Sequence, residues 1–545
     1  MQAFINDKKK IKTIFLSCLA FILVTHSYRW MNTMYSHDSL LILQTDRAWL
    51  ISLGRIFNPV YVWLRGSFVA PMNIGMLSTV YITVSAVLII YILKLKKKTS
   101  IILCCGFLAT FETIAFVNAV FLLSLDLDML ALLLAVLGAY FFIGEKNLKR
   151  YAAGIVCITI MLGLFQSYIE AAILLICLEI LREALEGGDA GKLFIKGLRC
   201  VGLLIISGIL YSICLKIVMG YTGIAPATSG NGLAKMRELT IPYAISLARD
   251  AYKFTLNYLF NDSMIYHRRI SRWVYRCLAL TTISGMTWIA VKRRLNKGNI
   301  ALIVFLLLIM PLGGNCVYVL SLGLKHSLMN YAFVFFSIMA VMVYDLLCTH
   351  TDKATSAEPA EPQGPGDKTA PVHDGTRNLA FYVKLVIPVL CSILIFNHIL
   401  FANQWYTRND LYSQAGVSFM TRLITDMEEA EGYEVGKTPV LILGHIDDSP
   451  ASYTVEGFEI ASDPMVGTTH HLAFSYYQTY IYFFHYILGY PINIVPLRDV
   501  TKYLDDPEIN AMPIYPAKGS VSMINGVLAI RLSEDLRPEE IRWNY

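Results

Sequence analysis

Residues 74–98 read IGMLSTVYITVSAVLIIYILKLKKK. From Ile74 to Leu93 there is no charged side chain, and Lys94, Lys96, Lys97 and Lys98 follow at once. About 20 apolar residues in helical form are what it takes to cross a bilayer core. Lysines packed against the end of such a run mark the cytoplasmic side, because they resist translocation. This stretch therefore predicts one membrane crossing and says which of its ends faces inward.

The rest of the chain repeats the pattern. Of 545 residues, 56% are hydrophobic and 16% are charged, and the mean hydropathy is +0.53. Soluble domains carry about 25% charged residues, so a water-soluble enzyme of this length is excluded. Further apolar runs lie at about 13–25, 101–123, 129–143, 151–166, 168–182, 197–219, 275–291, 299–314, 328–348 and 380–401, which makes about eleven crossings. The first follows Lys8, Lys9, Lys10 and Lys12 like a signal peptide, but lacks a small-residue cleavage site, and is taken as an uncleaved helix. The basic clusters at Lys94–Lys98, Lys146–Arg150 and Lys292–Lys297 each follow an even-numbered crossing. One orientation satisfies all three, with the N-terminus in the cytoplasm.

Charge divides the chain as well. Residues 402–545 hold 9 Lys and Arg against 19 Asp and Glu, which leaves 37 against 21 for residues 1–401. The expected organisation is a transmembrane region at 1–349 with its first outer loop at 26–73, a cytoplasmic linker at 350–379, a last crossing at 380–401 and an acidic domain at 402–545. The linker follows from composition, since 351–378 lacks aromatic residues and is rich in Pro, Gly, Ala and charge. In the acidic part, 409–430 has the spacing of an amphipathic helix, and Pro439–Gly444 and Gly526–Leu532 read as strands. Eleven crossings place this small α/β domain outside the cell. The aromatic stretch Leu472–Gly489 is apolar enough for a twelfth crossing, but Gln478 and His485 favour a helix buried in that domain or lying at the interface. All eleven cysteines fall between Cys18 and Cys391, without metal spacing, and read as buried small apolar residues.

Ionisable side chains at membrane level are costly and point to function. Four clusters stand out, all on the outer side in this topology. The first outer loop carries His37, Asp38, Arg47, Arg55 and Arg65, and the apolar spacing from Leu40 to Leu64 fits a helix lying in the interface. Asp38 either caps that helix or serves as a catalytic carboxylate. Asp126 and Asp128 occupy a short turn. Gln166, Ser167, Tyr168 and Glu170 form another, where the acid also suits the start of a helix. Lys325 and His326 precede a late crossing on the side where cations are unusual, which favours an anionic ligand. Outer-loop residues His267, Arg268, Arg269 and Arg272, among aromatics, suit headgroup anchoring. No Walker lysine loop, Rossmann glycine pattern or HExxH motif is present. No nucleotide-driven motor and no nucleic-acid partner are expected.

Taken in order, Asp38 with Trp49 and Gly54-Arg55, Ser124-Leu-Asp-Leu-Asp128, Leu164-Phe-Gln-Ser-Tyr168 and Met512-Pro-Ile-Tyr-Pro-Ala-Lys-Gly-Ser520 resemble the serotype-converting glucosyltransferases of bacterial membranes, Gtr type II, of the lipid-donor GT-C class. The resemblance implies an inverting transferase in the bacterial plasma membrane. Its donor is a sugar, typically glucose, on a polyprenyl phosphate, and its acceptor is a hydroxyl of a surface glycan. It implies Asp38 as base, Arg47, Arg55, Lys325 and His326 at the donor phosphate, and His37, Asp126, Asp128, Gln166 and Glu170 as orienting groups. No cofactor is implied, although a divalent metal between Asp38 and Asp126 or Asp128 is conceivable chemistry. An upstream synthase that charges the polyprenol and a flippase are implied partners. The rival class is a flippase or transporter of lipid-linked saccharide or of a small solute, which should carry ionisable groups at mid-depth on facing helices.

Overall fold

The computed structural model of the protein describes residues 4, 6–36, 40, 47–66, 70–227, 239–263, 269–324, 326–355, 374–446, 449–450, 474 and 477–538. Helix α1 (Lys8–Met31) is followed by two short helices, α2 (Arg47–Ser52) and α3 (Asn58–Arg65). Then come α4 (Pro71–Ile92), α5 (Lys98–Thr110), α6 (Glu112–Val120), α7 (Leu125–Ile143), α8 (Leu148–Leu164), α9 (Ile169–Leu185) and α10 (Ala190–Thr222). The bundle ends with α11 (Ile241–Asn257), α12 (Arg269–Lys292), α13 (Lys297–Gly313), α14 (Cys316–Leu320), α15 (Val334–Thr355) and the 55-residue α16 (Asp374–Glu428).

Eight of these helical segments are long and apolar enough to cross a membrane. They are α1, α4, α5 continued by α6, α7, α10, α12, the Ser327–Thr349 stretch that holds most of α15, and Lys384–Glu428 in α16. This is the architecture of a polytopic membrane protein. The remaining three expected crossings coincide with α8, α9 and α13, each of 17 residues. That is about 26 Å of helix at 1.5 Å per residue, somewhat less than the roughly 30 Å hydrocarbon core. For α8 and α9 the reason is local. They meet at a tight turn, Phe165–Tyr168, in which Phe165, Ser167 and Tyr168 are buried.

Burial separates the faces. Phe107, Leu108, Ala115, Phe116 and Val117 of α5 and α6 are fully enclosed, so this pair forms the axis of the bundle. On α10, by contrast, Ile205, Ile206, Ile209, Ile213 and Ile217 are exposed, as are Met76, Val80 and Val84 on α4. Rows of large apolar side chains facing outward along a helix are what lipid contact selects. Side chains cap four helices at the Lys/Arg-rich end: Asp7 for α1, Asn147 for α8, Asp189 for α10 and Asn296 for α13. Each satisfies amide donors that helix geometry leaves open.

Helix α16 runs unbroken through the 401/402 boundary drawn from charge, and its last turns enter a second hydrophobic core through Phe419, Met420, Leu423 and Met427. That core encloses a four-stranded sheet in the order β2 (Asn493–Ile494), β1 (Pro439–Leu443), β4 (Val527–Arg531), β3 (Val521–Ile524). Strand β1 is parallel to both neighbours, while β3 and β4 form an antiparallel hairpin. Asn525 and Gly526 turn that hairpin with φ of 47° and 79°, the left-handed pair that a two-residue hairpin turn demands. The strands at 439–444 and 526–532 and the helix over 409–430 thus stand where the sequence puts them. Within Leu472–Gly489, a helix at Tyr477–Tyr482 and a π-turn at Phe483–Ile487 bury Tyr477, Tyr480, Phe483 and Phe484 against the sheet. Its described helical residues, 477–487, span about 17 Å, and their burial in this core fits a helix enclosed in the domain.

Candidate functional site

The end of the bundle opposite the basic clusters is closed by the short helices of the first loop. The fit is set by a glycine: a side chain at Gly163 would run into the Phe57 ring, and the Phe57 amide donates to the Gly163 carbonyl at 2.8 Å. Beside this contact, Gln166 Nε2 donates to the Leu53 carbonyl at 3.0 Å and to the Tyr211 hydroxyl at 3.1 Å, and that hydroxyl donates to the Gly54 carbonyl at 2.9 Å. Gln166 therefore holds the Gly54-Arg55 turn. Arg55 lies over the Phe165 ring, 4.4 Å from its centre, and is the cation acting on Asp128.

The two carboxylates of the 126–128 turn have different surroundings. Asp126 Oδ1 accepts from Arg65 Nη1 at 2.6 Å and from the Leu127 amide at 3.0 Å, and Oδ2 accepts from the Tyr61 hydroxyl at 2.8 Å. Arg65 also donates to the Leu123 carbonyl at 2.7 Å, so α3 is bolted to the start of α7. Burial, and after it the charge on Asp126, pushes the Tyr61 phenol well above its ordinary value, so Tyr61 remains a donor. Asp128 is equally buried, yet no described residue hydrogen-bonds its carboxylate. Tyr168 stands close to Asp128, with a buried hydroxyl that lacks a partner among the described residues. One acid is thus used by the fold, and the other faces Arg55 and a spare phenol.

His37, Asp38 and Lys325 lie outside the described residues, but the flanks of the first two are fixed. The Leu40 amide donates to the Ser36 carbonyl at 3.1 Å, and Ser36 Oγ donates to the Val120 carbonyl at 2.7 Å. The Tyr35 amide donates to Ser413 Oγ at 2.9 Å, and its ring meets Phe483 edge-on at 5.5 Å. Leu40 is buried in the core of the sheet. The chain on either side of Asp38 is therefore pinned between the end of α6 and the sheet-bearing part. Arg29 helps from below. It is buried, and donates to the carbonyls of Asn118 and Met34 at 3.1 and 3.2 Å.

The other sequence candidates are spread more widely. Arg47 is exposed on α2. His326 Nδ1 accepts from the Leu328 amide at 3.1 Å, capping the 3-10 turn at 327–333, and its ring packs against Phe116 and Phe121. Glu170 is fully buried and accepts from the Val317 amide at 2.7 Å, holding the start of α14. Sequence reasoning overlooked Arg29 and Glu112. Glu112 opens α6 after a break at Phe111 and accepts from the Tyr258 hydroxyl and from Ser263 Oγ at 2.7 Å. Glu112 could have been found by asking which charge interrupts an apolar run, whereas Arg29 lies just past the 13–25 run and gives no such signal. Among the described residues, no group of three or more His, Cys, Asp or Glu converges on a metal position.

The family description "Glucosyl transferase GtrII" matches residues 27–344, more than half of the chain. This protein belongs to that GtrII family. The match takes in the first loop, the 126–128 turn, the Gln166 turn and His326, and stops before the sheet. Membership supports glucosyl transfer, and hence a glycosyltransferase, over the carrier that the crossings alone allowed. No curated protein and no solved structure matches the GtrII-family chain closely enough to add to this.

Proposed function

We propose that this protein transfers glucose from a polyprenyl phosphate donor to a hydroxyl of a surface glycan, at the outer face of a bacterial plasma membrane, with inversion at the anomeric carbon. The orientation has the N-terminus in the cytoplasm and the sheet-bearing part outside. The observation that carries the reading is the Leu40–Ser36–Val120 chain of hydrogen bonds. It ties the flanks of Asp38 to the end of the bundle where Arg55, Asp126 and Asp128 gather.

The chemistry follows from those residue types. The acceptor oxygen attacks the anomeric carbon, the bond from that carbon to the phosphate oxygen breaks, and polyprenyl phosphate leaves with the bonding pair. Asp38 takes the acceptor's proton. Arg55, with Arg47 and Lys325-His326 assisting, offsets the charge that grows on the leaving phosphate. Gln166 fixes the Arg55 turn, and Asp128 with Tyr168 orients hydroxyls. The donor reaches the site through the bilayer, supplied by a synthase that charges the polyprenol and a flippase that turns it outward. Aromatic faces of the C-terminal part suit a sugar acceptor. No cofactor is required. Both oxygens of Asp126 are already engaged, which weighs against a metal there. A carrier would need ionisable groups facing a path at mid-depth, and Glu112, the acid inside α5–α6, is taken up by Tyr258 and Ser263.

The test is transfer in proteoliposomes from polyprenyl phosphate glucose to O-antigen-like acceptors, wild type against Asp38→Asn. A loss of about 100-fold or more, the scale of a missing general base, in a variant that still inserts supports the assignment. Full activity in the variant moves the base to Asp128, and no transfer from any polyprenol-linked sugar overturns the donor class.

A further inference from the structure

The Lys/Arg-rich end of the bundle holds a cavity of about 610 Å³ that transfer chemistry at the far end leaves unused. Lys10, Lys94, Lys96 and Arg150 line it, together with the rings of Phe4, Tyr91 and Tyr140 and the side chains of Ile92 and Ile143. Two acids also reach it. Glu179 accepts from Arg182 at 2.8 Å on both of its oxygens, although Arg182 also pairs with Glu183 and Glu186, and Glu145 is exposed at the rim. The lining holds four cations against two carboxylates, and Asp345, outside the lining, acts on Lys10 by its charge.

The cations are held in place by the fold. Arg150 Nη2 donates to the Tyr140 carbonyl at 3.2 Å and its guanidinium stands 5.0 Å from that ring, while its Nε is buried with no partner among the described residues. A side chain at Gly144 would collide with this guanidinium, so the glycine is what lets Arg150 lie there. Lys10 donates to the Leu95 carbonyl at 2.6 Å and sits 4.5 Å over the Phe4 ring. Asp345 accepts from the Lys96 and Lys97 amides at 2.8–3.1 Å, which fixes the loop carrying Lys94 and Lys96.

We propose that this cavity binds the phosphodiester headgroup of an anionic phospholipid from the leaflet on the Lys/Arg-rich side. A guanidinium fork with ammonium groups around it matches phosphate oxygens better than single carboxylates. The Phe4, Tyr91 and Tyr140 rings lie at headgroup level, where aromatic side chains anchor, and Ile92 and Ile143 offer the first acyl carbons an apolar wall. The volume is also more than inorganic phosphate needs and suits a headgroup with its glycerol. Free phosphate and a lipid headgroup share this chemistry, and the experiment separates them.

Purified full-length protein in detergent is titrated with dioleoylphosphatidylglycerol or dioleoylphosphatidylcholine, and retained lipid is counted by native mass spectrometry. Wild type should retain the anionic lipid and shed the zwitterionic one. Each cation removed should weaken retention about fivefold, so Lys94→Gln with Lys96→Gln should cost about 25-fold. Arg150→Gln should weaken it and Arg150→Lys should recover part. Lys8→Gln with Lys9→Gln, exposed charges outside the cavity, should change nothing. Equal retention of both lipids overturns the proposal, as does an equal loss in the Lys8/Lys9 variant. Full displacement by millimolar inorganic phosphate overturns it in favour of a soluble anion.

Discussion

Arg65 and Asp126 form a buried ion pair, Nη1 to Oδ1 at 2.6 Å, that joins the last residue of α3 to the first turn of α7. Arg65 Nε and Nη2 have no hydrogen-bond partner among the described residues, so among these Asp126 and the Leu123 carbonyl are what the guanidinium donates to, with the Tyr61 ring 5.9 Å away. The pair gains further from the helix dipole, because Asp126 lies in the first turn of α7.

Removing one partner should therefore cost far more than removing both. Asp126→Ala leaves a buried guanidinium uncompensated, a loss of about 3–5 kcal/mol in soluble proteins. Arg65→Met combined with Asp126→Leu should restore most of it. Thermal unfolding midpoints of the detergent-purified single and double variants measure the difference. Equal destabilisation in the double variant would mean that the pair does not hold α3.

Asp128 should behave in the opposite way. Arg55 acts on Asp128 by charge, but no described residue hydrogen-bonds its carboxylate, so Asp128→Asn removes less that the fold uses than Asp126→Ala does. The unfolding midpoint should stay within a few degrees of wild type, the usual scale of a change below about 1 kcal/mol in a large chain. Glucosyl transfer should fall about 100-fold, comparable to the loss of a group that positions or polarises a reacting hydroxyl. A variant that is unstable yet fully active per folded molecule would place Asp128 with Asp126 among the structural acids.

Gly163 sets how closely the first loop approaches. Its missing side chain leaves room for the Phe57 ring, and its carbonyl accepts the Phe57 amide at 2.8 Å. Gly163→Ala should push Phe57, and the Arg55 turn two residues earlier, off the α8–α9 turn. The overpacking cost is about 1–3 kcal/mol, with a rise in KM for the glucosyl donor. Phe57→Ala in the same chain should relieve the clash, giving a double-mutant coupling of about 0.5–3 kcal/mol. Strictly additive effects would show that the two residues do not determine each other's position.

How much of this was written in the sequence depends on range. Every apolar run chosen by length has a helix under it, because burial in lipid or in the bundle imposes local composition. The strands at 439–443 and 527–531 were legible from their β-branched and aliphatic runs with Gly at the ends. The break at Phe111 was not, since the run from 101 to 123 stays apolar across it. Nor was the continuity of α16, because charge changes at 401/402 while the helical backbone does not. At the site, Asp126 read as an orienting group, while its carboxylate is bound by Arg65, 61 residues away in the chain. Glu170 read as an orienting group, while its oxygen meets the Val317 amide, a contact 147 residues apart in the chain. Spacing along a chain carries no information about such partners until the helices are packed.

The same limit hid Glu112, and its role can be measured. Its carboxylate receives the Tyr258 hydroxyl and Ser263 Oγ, which draws the end of α11 against the break between α5 and α6. Glu112→Leu orphans both hydroxyls, each at about 1–3 kcal/mol when buried, and should lower the unfolding midpoint strongly. Glu112→Gln keeps an acceptor oxygen and should lower it less. If the acid is structural, transfer per folded molecule is unchanged in Glu112→Gln. If it lined a path for a solute, the glutamine variant would fold normally and lose uptake or flipping of the lipid-linked sugar in vesicles. The two readouts move in opposite directions, so one variant separates an enzyme braced by a buried acid from a carrier that depends on it.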